Sequence, residues 1–233
     1  MSRTLTEFIL VFLVLSDLAL LGSSRFTFLI RTVAVQGVLL GIMPLLTGTE
    51  DFGPHAWILA GGIFLLKGIL FPWLLFRARR EANVSREVEP LVGFSLSLVC
   101  GVLALAFSLW IGVRLPLPVA ASRLVPPVAL FTLLSGLFLI TARKKALTQV
   151  IGYLTMENGI YAFGVAMAHR EPLLVELGVM LDVFAAVFVM GIAIFHINRE
   201  FDHIDTHRLS QLSEWRNGDK GGTVRPPEPG HLP

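Results

Sequence analysis

Cysteine is almost missing from this chain. Cys100 stands alone, so neither a disulfide framework nor a thiolate metal site can form from its own residues. Charge is scarce too. Asp, Glu, Lys and Arg make up 15% of the 233 residues against 54% hydrophobic, and the mean hydropathy is +0.72. A water-soluble domain of this length would lack the polar residues to cover itself. The chain also has no glycine pattern of the dinucleotide-binding kind. Its histidines, His55, His169, His196, His203, His207 and His231, fall mostly in loops or the tail. A haem would need helix histidines at matched depth, and His196 alone sits near a membrane edge, so no cofactor and no metal is expected.

What is present is a succession of apolar runs. Crossing the hydrocarbon takes about 20 mostly apolar residues in helical form. That ruler marks 5–22, 26–46, 56–76, 91–113, 124–141, 146–168 and 173–197. The expected fold class is all-α, a polytopic membrane helix bundle with about seven transmembrane helices over 1–200. A cytoplasmic amphipathic segment follows at 201–216, where Leu209, Leu212 and Trp215 recur at spacing three, and a disordered tail at 217–233. Glu7 and Asp17 interrupt the apolar stretch that a signal peptide would need, so the first run reads as an uncleaved helix. Pro72 predicts a kink in the third helix, whereas Pro126 and Pro127 fit the first turn of the fifth.

Lys and Arg collect on one side of this arrangement: Arg25, then Arg77, Arg79, Arg80 and Arg86, then Arg143, Lys144 and Lys145, then the C-terminal cluster. Positive flanks stay cytoplasmic, which predicts a multi-pass protein of the cell inner (plasma) membrane, N-terminus outside and C-terminus inside. The net charge of +2 then reflects a basic inner rim facing the lipid bilayer, and no nucleic acid partner is expected.

Against that background, Asp17, Arg31, Lys67, Glu157, Glu176 and Asp182 fall inside the spans. Each would cost roughly 2.5 to 3.5 kcal/mol or more at the bilayer centre, so they mark function or pairing. Asp17 and Arg31 flank a tight connection and are expected to pair locally. Counting rise along each helix puts Lys67, Glu157 and Asp182 at a common mid-depth, which admits a Lys67 pair with either carboxylate. Gln149, Tyr153, Glu157 and Tyr161 recur every four residues, a polar stripe that must face the bundle, with Thr148 and Asn158 beside it. Segments one to three and five to seven share a layout. A parallel internal repeat would match Gln36 to Glu157 and Lys67 to Asp182.

Three stretches, ALTQVIGYLTMENGIYAFG at 146–164, REPLLVELGVMLDVFAAVFVMGI at 170–192 and FHINREFDHIDTHRLSQL at 195–212, closely resemble the hydrogenase-4 component E family. That family is related to the K subunit of respiratory complex I and to the C subunit of multisubunit cation/proton antiporters. The resemblance implies a non-catalytic membrane-arm subunit of a group 4 [NiFe]-hydrogenase or formate hydrogenlyase type complex, whose metal centres lie in other subunits. Its partners would be antiporter-like and quinone-channel-like subunits. The complex I relative uses two intramembrane carboxylates on successive helices. The first looks like Glu157; the second is best matched by Asp182, although that position is Glu in the relative and the spacing here is shorter, so Glu176 competes for the role. Tyr153, Tyr161 and Gln149 would order water between the sites. A subunit of a multisubunit cation/proton antiporter, or a structural subunit connecting antiporter-like modules, would fit the same residues.

Overall fold

In hydrocarbon each backbone group must be satisfied within its own segment, and the apolar runs wind into helices accordingly. The computed structural model describes residues 2–47, 61–62, 64–81, 91–114 and 122–167, all within the unit Met1–Ala193. Among them are α1 (Ser2–Gly22), α2 (Phe26–Thr47), a π-helical stretch Phe64–Leu70 leading into α3 (Phe71–Glu81), α4 (Phe94–Arg114), α5 (Val125–Ala142) and α6 (Ala146–Met167). There is no β-sheet among the described residues. The protein is an all-α, polytopic membrane helix bundle. Among the described residues four helices are long and apolar enough to cross a membrane: Thr4–Gly22, Phe26–Met43, Phe94–Gly112 and Val125–Ala142. The expected seventh span, and with it the last segment of the proposed repeat and its Asp182, the amphipathic segment and the tail lie outside the described residues.

Sequence explains several boundaries. Pro126 and Pro127 occupy the first turn of α5, where a missing N–H leaves nothing unpaired. Pro72 cannot donate to Gly68, and its ring crowds that carbonyl. The helix ahead of it is wound as π-helix from Phe64 to Leu70, so the backbone accommodates the proline by changing its hydrogen-bonding register. The third helix then continues to Glu81, past its expected end at 76.

Glycines set the tightest contact. A Cβ on Gly136 of α5 would collide with the Met156 backbone nitrogen and lie 2.5 Å from the Gly152 carbonyl oxygen. A Cβ on Gly159 would come 2.5 Å from the Leu133 nitrogen. Only hydrogen fits at these positions, and α5 and α6 therefore pack backbone to backbone, the close approach that small residues permit between membrane helices.

Among the described residues two apolar clusters form the core, stacked along the bundle. One joins Leu20, Leu21, Phe26, Ile30, Phe71, Leu75, Leu139 and Ile151. The other joins Leu10, Leu13, Leu40, Met43, Val125, Val128 and Ala162. On α1, α2, α5 and α6 alike, a short interval of sequence separates the two clusters. Leu5, Phe8, Val11 and Leu15 of α1 and most large apolar residues of α4 are exposed, as a lipid-facing or subunit-facing surface would be. Arg77 lies over the Trp73 ring at 5.8 Å and Arg114 over Trp110 at 4.2 Å, each near a helix end, the arrangement of interfacial anchors.

Candidate functional site

The interval between the two apolar clusters holds the polar residues. Lys67 Nζ stands 3.5 Å from Glu157 Oε1, with the side chains 4% and 1% exposed. It also donates to Asn158 Oδ1 at 3.1 Å and lies over the Tyr161 ring, 5.3 Å from its centroid. The mid-depth pairing expected for Lys67 therefore exists with Glu157. Asp182, the other candidate, lies outside the described residues, as does Glu176. Backbone geometry brings the pair together: a Cβ on Gly37 of α2 would fall 2.5 Å from Lys67 Cβ, so the missing side chain there is what lets the π-helical turn carrying Lys67 approach α2. Beyond the ion pair, neither Glu157 oxygen accepts a hydrogen bond among the described residues, and neither does the Tyr161 hydroxyl. A cavity of about 10 Å³ is lined by Lys67, Asn158, Ile30, Phe71 and Pro72, room for about one water.

From Lys67 the polar contacts continue across the bundle. Asn158 Nδ2 donates to Gln36 Oε1 at 3.3 Å, and Gln36 Nε2 donates to Asp17 Oδ1 and to Ser16 Oγ, each at 2.7 Å. Thr132 Oγ1 of α5 donates to Asp17 Oδ2 at 2.7 Å. All of these side chains are buried. An ammonium can only donate and a carboxylate only accept, so the two ends fix both amides: reversing either would set N–H₂ against N–H₂ or oxygen against oxygen. The result is one directional chain, Lys67 to Asn158 to Gln36 to Asp17, closed on the far side by Thr132.

This corrects the expected Asp17–Arg31 pair. Arg31 is exposed, whereas Asp17 is fully buried and held by Gln36 and Thr132. Gln36 is five residues beyond Arg31 on α2, a rotation of about 140°, so the face presenting Gln36 to Asp17 turns Arg31 away. The four-residue stripe also divides. Glu157 and Tyr161 are buried and Tyr153 half-buried, but Gln149 is exposed near the start of α6, where its amide donates to the Arg143 carbonyl at 3.1 Å. Arg143 itself, expected in the basic rim, is buried. It donates to Leu21 O at 2.7 Å and to Val92 O at 3.4 Å, with its guanidinium 4.4 Å over the Phe94 ring. It thus satisfies a carbonyl in the last turn of α1, where the helix dipole favours a cation. Thr132 carried no signal in the sequence, since a helix threonine usually bonds its own backbone. No group of three His, Cys, Asp or Glu side chains among the described residues could hold a metal ion.

The family model for NADH-ubiquinone/plastoquinone oxidoreductase chain 4L matches residues 126–214. The uncharacterized protein Rv0085 of Mycobacterium tuberculosis is 34% identical over 206 residues, 87% of this chain and 93% of that protein. Hydrogenase-4 component E of Escherichia coli K12 is 30% identical over 156 residues, 66% of this chain and 72% of that protein; the Shigella flexneri protein of the same name matches equally. No solved structure matches the chain significantly.

Proposed function

This chain belongs to the NADH dehydrogenase chain 4L and hydrogenase-4 component E-like family of membrane subunits, and from that premise we propose that it is a membrane-arm subunit of a proton- or cation-translocating hydrogenase or formate hydrogenlyase-like complex, in which Glu157 and Lys67 form part of the ion pathway. It is a non-catalytic subunit, multi-pass in the inner membrane with its C-terminus cytoplasmic. The observation that carries the reading is the Lys67–Glu157 pair, 3.5 Å apart and almost wholly buried beside space for a water. A scaffold has little use for such a pair, because well-packed apolar residues hold helices together as well without the cost of desolvating two charges.

The chemistry available to the pair is proton exchange linked to a movable cation. A proton taken from adjoining water turns Glu157 into the neutral acid and releases the ammonium, for which Asn158 Oδ1 at 3.1 Å is a ready acceptor. Loss of that proton restores the charge and draws Lys67 back. Asp182 serves as the second relay site, with Glu176 as an outer access point, and Tyr161 and Tyr153 order the water between them; Gln149 would act at the exposed end of α6.

Glu157→Gln, expressed with the rest of the complex and reconstituted in vesicles, tests the reading. Ion movement driven by the redox reaction should fall to background while the complex still assembles. Normal ion movement, or loss of assembly with no separate transport defect, would refute it.

A further inference from the structure

Asp17 lies two helices away from Lys67 and has no part in the proposed pathway, yet one unbroken chain of hydrogen bonds joins them. Both of its oxygens are engaged, one by Gln36 and one by Thr132, and it is fully buried. The amides between can pass on polarisation but have no proton to hand along, so the chain is an electrostatic connection and no wire for protons. Two of the attractions on Lys67 come from carboxylates of the described residues: Glu157 directly, and Asp17 through Asn158 and Gln36. We propose that Asp17 is a positioning residue that competes with Glu157 for the Lys67 ammonium through the Asn158–Gln36 amide pair, and so sets the pH range over which Glu157 exchanges its proton. The proposal rests on the reading of Glu157 as the exchanging carboxylate.

The packing around this layer leaves few other contributors. Among the described residues the titratable groups around the Lys67–Glu157 pair include Tyr161 and Tyr153 on α6 and Asp17 on α1; α2 contributes the neutral Gln36 and α5 the neutral Thr132. Hydrogen bonds to an ionised acceptor are roughly twice as strong as those between neutral groups, so the chain pulls on Lys67 only while Asp17 keeps its charge. Removing that charge at constant volume leaves Lys67 committed to Glu157, which then takes up a proton only in more acidic solution.

Asp17→Asn tests this in the assembled complex, with ion movement in vesicles measured across pH. The profile should move toward lower pH by on the order of one unit, about tenfold in proton activity, with the maximum rate kept. Gln36→Met breaks the chain while leaving the Thr132 bond to Asp17, and should give the same displacement; the double variant should add nothing further. If Asp17→Asn does not assemble, Gln36→Met alone decides. A profile that superimposes on the wild type in either assembled variant overturns the proposal. A merely structural role would lower the rate at every pH without moving the profile, and that result overturns it as well. Glu157→Gln run alongside separates the failures: its loss of transport with an unmoved Asp17→Asn profile sinks the coupling alone, whereas full transport in Glu157→Gln sinks the function beneath it.

Discussion

Replacing Lys67 by methionine keeps most of the unbranched stem, one atom shorter, and removes its charge, and the cost can be worked from the distances around it. At 3.5 Å and an effective dielectric of about 20, the ammonium and the Glu157 carboxylate attract by about 5 kcal/mol. Desolvation offsets much of that in the intact pair, but stripping one partner from a buried pair exposes the full penalty, about 3 to 5 kcal/mol. The two single variants should differ. In Lys67→Met, Glu157 loses the one ion-pair partner it has among the described residues and gains no donor in exchange. In Glu157→Gln, Lys67 keeps the Asn158 oxygen, the Tyr161 ring and the new amide oxygen, so the cost should be about 1 to 2 kcal/mol. The double variant has no bare charge left and should cost less than the sum, with a coupling of about 2 to 3 kcal/mol. Reversible unfolding of the purified full chain in mixed micelles, followed by its four tryptophans, measures all three. A double variant equal to the sum of the singles within about 0.5 kcal/mol, or a Glu157→Gln more costly than Lys67→Met, would refute the geometry assigned to the pair.

Other perturbations separate position from charge. Gly37→Ala places a Cβ 2.5 Å from Lys67 Cβ and must push the lysine off its place; ion movement in the assembled complex should drop about tenfold to a hundredfold although every charged residue remains. Arg143→Gln strips the donor from Leu21 O and the cation from the end of α1, and should destabilise the chain by about 3 kcal/mol in the same unfolding assay. Arg31→Gln should change stability by less than about 0.5 kcal/mol, because that side chain is exposed and turned from Asp17.

Helix existence and the mid-depth charges were legible in sequence because both follow from one-dimensional quantities, the length of an apolar run and the rise per residue. Depth alone brought Lys67 and Glu157 to one level. Rotation was harder. Asp17 and Arg31 share a level too, and depth pairs them; what separates them is the direction in which each helix faces, which the packing of α1 against both α2 and α5 decides. Gln149 shows the same limit at the other scale, since a four-residue period drifts about 40° per step, and two steps back from Glu157, near the start of α6, the drift has turned the stripe's first member out to the surface. Arg143 was read from its neighbours Lys144 and Lys145 as part of a charged rim. Its long stem let the guanidinium turn inward to a carbonyl that sequence cannot display.

The match to the chain 4L family model begins at residue 126 and so contains Thr132, Glu157 and Asn158, but Asp17, Gln36 and Lys67 all precede it. The boundary of the chain 4L model therefore cuts through the middle of a single buried network. Glu157 accepts no hydrogen bond among the described residues, and the cation beside it comes from the preceding segment. Within the described residues the α6 carboxylate is thus electrostatically incomplete without the π-helical turn that carries Lys67, and that turn is seated by Gly37 of α2. A buried charge in hydrocarbon is tolerated only with a partner in place, which ties the folding of α5 and α6 in this protein to the helices before them. A fragment beginning at residue 122 should accordingly fail to hold Glu157 in its ionised, buried state, even though every residue of the matched region is present.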